Sequence, residues 1–368
     1  MALAALVAGL VVGARSGGGG SRTAAPGGAA GSSVAPPRPE RRALSRQVGQ
    51  LLIIRFAGTA APAYVRRALR DGRAGGVVLF ADNVESPAQL RALTRSLQRA
   101  ARGAALIATD QEGGSIRNVP WAGPPAGPPA QPSERLAETS ARDAAVQLRA
   151  NGVNVNLAPV ADVPSGPGSA MAGRAFSGDG ARVGALVAAT VRGHRAGGVG
   201  ATVKHFPGLG LAADNTDDAA VTIAATALQL DSGLEPFRAA ARAGAPLMMA
   251  SHALYPAYDR RRIASQSPRV LGDLLRQRVG FRGVVMTDSL EAEAVVSRSG
   301  VATAAERSVG AGADLVLMTG RGSFRPVHRR LLSRAERSAS FRRRVEEGAR
   351  RVAGLRRALG LRPPPSGT

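Results

Sequence analysis

The run of residues 201–210, ATVKHFPGLG, places two basic side chains at the end of a candidate strand. Its first residues alternate apolar and polar side chains, as a half-buried strand does, and Pro207 then begins a break toward a loop at residues 211–218. Lys204 is the only lysine in a chain that otherwise uses arginine. An ammonium is a compact point charge and a guanidinium is a planar fork, so they differ in a tight polar site. Lys204 and His205 are therefore predicted to be site residues.

Polar residues follow four other candidate strands in the same way. Asp110 follows ALIAT, Asp162 follows NLAPVA, His252 comes after LMMA and Ser251, and Asp288 follows VVMT. One such aspartate could simply cap a helix, but five strand ends that carry polar residues indicate a shared pocket. The histidines lack the spacing of a metal site, so no metal and no cofactor is predicted. A pocket with cationic and anionic walls suits sugars and phosphorylated small molecules.

Eight apolar runs that alternate with helical stretches must position these residues. Eight strands separated by helices over roughly three hundred residues predict an α/β fold, a TIM (β/α)8 barrel with one catalytic domain, in which chemistry occurs at the C-terminal strand ends. A doubly wound open sheet is the rival architecture, but no Gly-x-Gly-x-x-Gly opens a helix after the first strand. The predicted strands are 50–56, 76–80, 105–109, 153–158, 200–203, 246–250, 283–287 and 314–318. The predicted helices include 87–101, 132–150, 181–196, 236–243, 268–278, 302–311 and 325–359.

The amino-acid composition excludes several classes of protein and of chemistry. The 368 residues are 44% hydrophobic, enough for a substantial core, and carry a formal charge of +23. The arginines are spread along the chain without a nucleic-acid recognition motif or interleaved aromatics, so nucleic acid is not a predicted partner. Weak association with a membrane or an anionic wall polymer stays open. The absence of cysteine excludes disulfides, thiolate catalysis and Cys-ligated metals.

The chain divides into four predicted segments. Residues 1–15 are an apolar leader that is shorter than the ~20 residues of a membrane-spanning helix. The leader resembles the hydrophobic part of a secretory signal without its positive start. Residues 16–43 are a Gly/Ser/Pro-rich linker, 44–361 the barrel domain and 362–368 a tail. The expectation is an extracytoplasmic monomer, with a cytoplasmic location as the alternative.

Six motifs, in order along residues 44–360, resemble glycoside hydrolase family 3. Within that family the sequence is most similar to the single-barrel bacterial β-N-acetylglucosaminidases, and other members carry a second α/β domain. The motifs are DQEGG (Asp110–Gly114), NLAPVADV (Asn156–Val163), GRAFSGD (Gly173–Asp179), KHFPG (Lys204–Gly208), MASH (Met249–His252) and VMTDSL (Val285–Leu290).

The resemblance implies a retaining hydrolase that acts on terminal β-linked N-acetylglucosamine, in a glycan or a cell-wall fragment. Asp288 would be the nucleophile that forms a covalent glycosyl-enzyme. Asp110 would accept hydrogen bonds from sugar hydroxyls. The other implied substrate-binding residues are Arg117, Arg174, Lys204, His205 and His252.

The chain departs from the family pattern where the general acid should be. The single-barrel subgroup carries a histidine where this chain has Leu209, and an Asp-Ser-His triplet where it has residues 215–217, Asn-Thr-Asp. The usual histidine acid is therefore missing. Arg117 stands one residue away from an arginine that the family carries, and Ala292 replaces a common methionine.

Three outcomes follow from the missing histidine. In the preferred one, Asp217 is the general acid and base, or Asp214 or Asp218 in its place, with a pKa raised by burial or by the charge of Asp288. In the second, only activated glycosides are cleaved, because the loss of general acid catalysis lowers the rate by roughly two to four powers of ten. In the third, the barrel binds carbohydrate with little or no turnover. For Asp162, a bracing role and a sugar contact are both open.

Overall fold

The protein, described here by a computed structural model over residues 38–363, forms a closed barrel of eight parallel strands. Each strand pairs with its neighbours in chain order, and the last strand closes the ring against the first. This confirms the TIM barrel and excludes the open sheet. The strands are β1 (Leu52–Arg55), β2 (Gly76–Leu79), β3 (Leu106–Thr109), β4 (Val155–Asn156), β5 (Gly200–Phe206), β6 (Leu247–Ala250), β7 (Val284–Ser289) and β8 (Leu315–Met318).

Helices surround the barrel and separate the strands. A helical segment with π-type hydrogen bonds, Arg269–Arg278, follows β6, and a short hairpin, Gln111–Gly113 with Ile116–Arg117, follows β3. The α-helices are α1 (Arg38–Gln50), α2 (Ala63–Arg70), α3 (Pro87–Ala100), α4 (Glu134–Ala150), α5 (Gly180–Ala196), α6 (Ala227–Arg242), α7 (Glu293–Val296), α8 (Val301–Ala311), α9 (Phe324–Arg337) and α10 (Ala339–Ala358). Three 3-10 turns lie at Ala81–Asn83, Pro128–Ala130 and Ala264–Gln266.

Two helix boundaries differ from the sequence prediction. Helix α6 begins well before Pro236, because Thr226 caps it and forms a reciprocal capping box with Gln229. The predicted helix 325–359 is two helices, α9 and α10. They separate at Ser338, which has extended backbone angles and accepts the N–H of Phe341.

Strand β5 extends further than predicted. Its ladder continues beyond Val203, since the N–H of Lys204 donates to the Pro159 carbonyl at 3.1 Å. The N–H of Ser251 donates in turn to the Phe206 carbonyl at 2.9 Å. Lys204 and His205 are therefore held inside a strand and not at a break in the chain.

Alternation along the strands separates a barrel interior from a strand–helix layer. One set of side chains fills the interior, and its neighbours along each strand pack outward against the helices in two further apolar clusters. This parity decides which residues at each strand end face the axis. The interior set from the strands and their ends includes Ile53, Val78, Leu106, Ala108, Val155, Leu157, Leu247, Met249, Val284, Met286, Leu315 and Leu317.

The structure can be compared with only some of the predicted segment boundaries, because it describes residues 38–363. Helix α1 begins at Arg38, so residues 38–43 of the predicted linker 16–43 are helical. The predicted leader, residues 1–15, and the end of the predicted tail lie outside the described residues. Within residues 38–363, none of the helices has the length and apolar character needed to cross a membrane.

A buried ion-pair cluster ties the outer helices to the end of the barrel opposite the strand C-termini. Asp314, fully buried at the start of β8, pairs with Arg276 at 2.7 Å, with Arg351 at 3.1 Å and with Arg344. Its carboxylate also accepts the N–H of Val285 at 3.0 Å. Removing one partner from such a cluster leaves charges buried without compensation.

Asp314→Asn is expected to lower the free energy of unfolding by roughly 3–5 kcal/mol, because the arginines lose their shared counter-charge. Denaturant unfolding of the whole chain measures the change. Asp143→Asn is the matched control, since Asp143 pairs with Arg142 on the surface at 62% side-chain exposure. That control should change stability by less than ~1 kcal/mol. Equal losses of stability in both variants would contradict the stabilising role of the ion-pair cluster.

Candidate active site

A pocket of about 490 Å³ opens at the C-terminal ends of the strands. Asp110, Lys204, Asp288 and Thr319 continue the inward-facing series of β3, β5, β7 and β8, so strand parity aims each of them at the barrel axis. The structure therefore brings these four side chains together although they span 209 positions of the chain, from 110 to 319. The further lining residues include Arg55, Phe80, Glu112, Asn118, Arg174, His205, Asp217, Ser289 and Glu291.

A network of two cations and two carboxylates forms one wall of this pocket. The Nζ of Lys204 donates to Asp110 Oδ1 at 2.6 Å and lies 2.7 Å from Glu112 Oε1. Arg174 donates two hydrogen bonds to the carboxylate of the same Glu112, from Nε at 3.0 Å and from Nη2 at 2.7 Å. The lone lysine is thus held between two acids, and the four side chains fix one another in place.

The charges of this network outweigh the cost of their burial. Burial alone would raise the pKa of Glu112, but Lys204 and Arg174 lower it to about 2. Burial alone would lower the pKa of Lys204, but Asp110 and Glu112 raise it above its ordinary value. Glu112 and Lys204 are therefore charged at neutral pH, and the wall presents fixed donors and acceptors to a ligand.

Asp162 braces the second basic residue from behind. Its buried carboxylate lies 2.7 Å from Nδ1 of His205 and accepts the N–H of Leu209 at 2.6 Å. The opposite ring nitrogen of His205, Nε2, lies 3.8 Å from Asp288 Oδ2. Of the two roles left open for Asp162, the geometry favours bracing, because Asp162 does not line the pocket.

Asp288 is held as an ionised carboxylate at the end of β7. Burial alone would raise its pKa, but the charges of His205, His252 and Lys204 lower the pKa below its ordinary value. The N–H of Ser289 also donates to Asp288 Oδ1 at 2.7 Å. An ionised, oriented carboxylate is what nucleophilic attack on a sugar requires.

Two predicted substrate-binding residues do not line the pocket. His252 is fully buried below it, where its Nδ1 contacts Ser265 Oγ at 2.7 Å and its Nε2 contacts the Ser289 carbonyl at 2.9 Å. It therefore positions the backbone beside the Asp288 carboxylate. Arg117 lies in the hairpin after β3, where its neighbours Ile116 and Asn118 line the pocket instead. Alternation along a strand aims Arg117 away from them.

The loop after β5 brings one of its three aspartates to the pocket. Asp217 lines it, whereas Asp214 and Asp218 do not. The loop is anchored through its backbone, since the N–H of Glu293 donates to the Asp217 carbonyl at 3.0 Å. Although Asp217 is exposed as a whole residue, reduced solvation and then the charge of Asp288 raise the pKa of its carboxyl. Of these two carboxyls, Asp288 thus has a lowered pKa and Asp217 a raised pKa.

A third carboxyl, Glu291, escaped the sequence analysis. Its Oε2 accepts the N–H of Thr319 at 2.8 Å, and its Oε1 is buried without a hydrogen-bond partner. The analysis also missed Glu112, although it lies within the DQEGG motif. The position of Glu112, two residues after Asp110 and followed by two glycines, was the sequence feature that could have identified it as a pocket residue.

Within residues 38–363, no group of three or more acidic or histidine side chains has the arrangement of a metal site.

Comparison with known proteins agrees with the geometry of the pocket. The family model described as "Glycosyl hydrolase family 3 N terminal domain" matches residues 43–355. The chain belongs to glycosyl hydrolase family 3. Its residues 110–290 therefore carry the family motifs on a barrel whose strand order and closure are those of a TIM fold.

Relatives within family 3 include both curated sequences and solved structures. A β-hexosaminidase of Stenotrophomonas maltophilia is 37% identical over 279 residues, which cover 73% of this chain and 83% of the relative. A protein of Arthroderma benhamiae named as an uncharacterised secreted glycosyl hydrolase is 31% identical, over 86% of this chain and 94% of its own. The structure of a family 3 β-N-acetylglucosaminidase from Paenibacillus sp. str. FPU-7 superimposes with a TM-score of 0.82 at 33% identity.

The solved family 3 structures differ in how much they add to this barrel. The superposition covers 86% of this chain but only 62% of the Paenibacillus chain. A β-N-acetylhexosaminidase structure from Beutenbergia cavernae is covered over 98% of its length, with a TM-score of 0.80 and 31% identity.

Glu112→Gln is expected to remove an acid-sensitive part of the stability of this family 3 barrel. The folded-state pKa of Glu112, about 2, lies below the ordinary value of 4.5. Its charge therefore stabilises the fold above pH 4.5, and that contribution is lost as the pH falls toward 2. Denaturant unfolding at several pH values measures it.

The variant should be less stable than the wild type at neutral pH, and the difference should shrink as the pH falls through that range. Glu85→Gln, at an exposed position, is the control. A stability difference that stays constant with pH would contradict the role given to the Glu112 charge.

Proposed function

We propose that this chain is a retaining glycoside hydrolase that cleaves terminal β-linked N-acetylglucosamine residues. The observation that carries the proposal is Asp288, an oriented carboxylate with a lowered pKa, in one pocket with Asp217, whose pKa is raised. Two carboxyl groups whose pKa values are moved in opposite directions suit the nucleophile and the general acid of glycoside hydrolysis. The names of the Stenotrophomonas and Paenibacillus relatives support the choice of sugar.

In the proposed mechanism Asp288 attacks the anomeric carbon as the glycosidic bond breaks. The product of this step is a covalent glycosyl ester, and Asp217 donates a proton to the departing oxygen. Asp217 then takes a proton from a water molecule, which attacks the same carbon from the face that the leaving group left. Asp288 is released, and the anomeric configuration is retained.

The remaining wall of the pocket would bind the sugar. Asp110 offers charged acceptors, and Lys204 and Arg174 offer charged donors, to the ring hydroxyls. Since these groups already hold one another at 2.6–2.7 Å, they need little rearrangement when a sugar arrives. His205 lies between Asp162 and Asp288 and would keep the nucleophile ionised.

A weakly active or inactive carbohydrate-binding barrel is the alternative function. It is favoured by Leu209, an apolar residue with 1% exposure at a position where the single-barrel subgroup carries a histidine. Calorimetric titration with N-acetylglucosamine, alongside assays of turnover on aryl glycosides, separates binding from hydrolysis. Binding without turnover would select this alternative.

We also propose an extracytoplasmic location for the protein. The apolar run of residues 1–12 and the description of the Arthroderma benhamiae relative as secreted support it. Fractionation of the source cells tests this location, and recovery of the protein only in the cytoplasmic fraction would select the alternative.

Asp288→Asn is expected to abolish cleavage of an aryl N-acetyl-β-glucosaminide, because an amide cannot form the glycosyl ester. Release of the phenol measures the rate, and thermal unfolding confirms that the fold is intact. Asp214→Asn, on the loop but outside the pocket, is the control and should retain activity. Activity near that of the wild type in Asp288→Asn would rule out Asp288 as the nucleophile.

Asp217→Ala is expected to slow cleavage of a poor leaving group by roughly two to four powers of ten, and that of an activated one much less. The reason is that only the poor leaving group needs a proton. Because the acid acts in its protonated form, wild-type kcat/KM should fall as the pH rises through the pKa of Asp217, and this limb should be missing in the variant.

Glu291→Gln is the matched comparison, since Glu291 is a carboxyl of the pocket to which no role has been given. If Glu291→Gln shows the dependence on leaving group and Asp217→Ala does not, then Glu291 is the acid. Equal slowing of good and poor leaving groups by Asp217→Ala would exclude Asp217.

A further inference from the structure

A second cavity of about 580 Å³ adjoins the catalytic pocket. The two share Arg55, at the end of β1, and Thr319, just after β8, so they lie side by side at the mouth of the barrel. The second cavity is formed by the loops that follow β1 and β8. None of the roles given above to the catalytic residues uses it.

The lining of this cavity combines aromatic rings with cations. Phe56, Tyr64 and Phe324 contribute rings, of which Phe56 is buried, Phe324 is partly exposed and Tyr64 is 39% exposed. Arg321 and Arg325 contribute guanidinium groups, and no aspartate or glutamate is among the lining residues that the structure describes. Partly exposed rings beside a cleft offer an apolar surface that a ligand ring can cover.

Two of the three guanidinium groups of the cavity are available to a ligand. Arg321 and Arg325 form no salt bridge or side-chain hydrogen bond with any residue in the described range. Arg55 lies 3.2 Å from Asp82 and stacks over the Phe80 ring, yet its Nε is buried without a hydrogen-bond partner. Two exposed arginines without a partner in the described range, and a third that is paired with Asp82, thus line a cavity whose described lining includes no carboxylate.

We propose that this cavity is the aglycone subsite and that it selects a leaving group carrying a ring and a carboxylate. The inference rests on the proposed hydrolase function, because an aglycone exists only if the adjoining pocket holds the sugar. A guanidinium binds a carboxylate through two parallel hydrogen bonds, and an aromatic ring on the aglycone packs against Tyr64 and Phe324. The glycosidic oxygen then lies where the two cavities meet.

A matched pair of substrates tests the subsite. They are 4-(carboxymethyl)phenyl N-acetyl-β-glucosaminide and its methyl ester, whose phenol leaving groups are nearly equally reactive because a methylene separates the substituent from the ring. The wild type should prefer the acid by about tenfold in kcat/KM, the effect of one charge-assisted hydrogen bond. The preference should shrink as salt is added.

The double variant Arg321→Gln, Arg325→Gln should reduce the ratio of acid to ester toward one. Arg329→Gln is the matched control, because Arg329 is an exposed arginine one turn along α9 from Arg325 and outside the cavity. The control should keep the wild-type ratio. A wild-type ratio near one, or a preference that survives in the double variant, overturns the proposal.

Failure of the hydrolase function would look different. A protein that cleaves neither glycoside refutes that function, and calorimetric titration with the same two glycosides then tests the cavity without turnover. Tighter binding of the acid than of the ester, lost in the double variant, supports the anionic subsite. Equal affinities overturn it.

Discussion

The ammonium of Lys204, held between the carboxylates of Asp110 and Glu112, is the interaction on which the catalytic face depends. It joins the end of β5 to the end of β3, and Arg174 extends the same network to the segment before α5. Burial opposes the charges of Glu112, Arg174 and Lys204, yet their mutual attraction exceeds that cost, as the lowered pKa of Glu112 shows. An arginine could not occupy the position of Lys204 without replacing a compact charge by a planar fork.

Opposed environments likewise distinguish two of the carboxyls of the pocket, Asp288 and Asp217. Asp288 lies among Lys204, His205, His252 and a backbone N–H, which together lower its pKa, whereas reduced solvation and the charge of Asp288 raise the pKa of Asp217 against the smaller opposing effects of His205, Arg174 and Lys204. Their pKa values therefore move apart. His205 belongs to this arrangement through Asp162, which orients the ring from the side away from the pocket. The chemistry follows from where each carboxyl sits and not from its residue type.

Residues identified from sequence motifs divide into those that face the pocket and those that support it. Asp110, Arg174, Lys204, His205, Asp217 and Asp288 line the pocket as predicted from the sequence, and the role of each in catalysis or binding stays a prediction. His252 and Arg117 do not line it, because one is buried beneath Ser289 and the other is on the alternate face of a hairpin strand. Motif membership could not distinguish these cases, because neighbours in a motif point in different directions.

The sequence by itself determined the class of fold and the order of its strands. Apolar runs of strand length between amphipathic stretches have few architectures that can bury them, and polar residues at the run ends marked the catalytic rim. Only the tertiary structure decided which carboxyl of the loop at residues 211–218 reaches the pocket, and that Glu112, Glu291 and a second, arginine-lined cavity belong to the same face. The physical reason is that orientation, desolvation and charge pairing depend on groups distant in the chain, and only closure of the barrel brings those groups into contact.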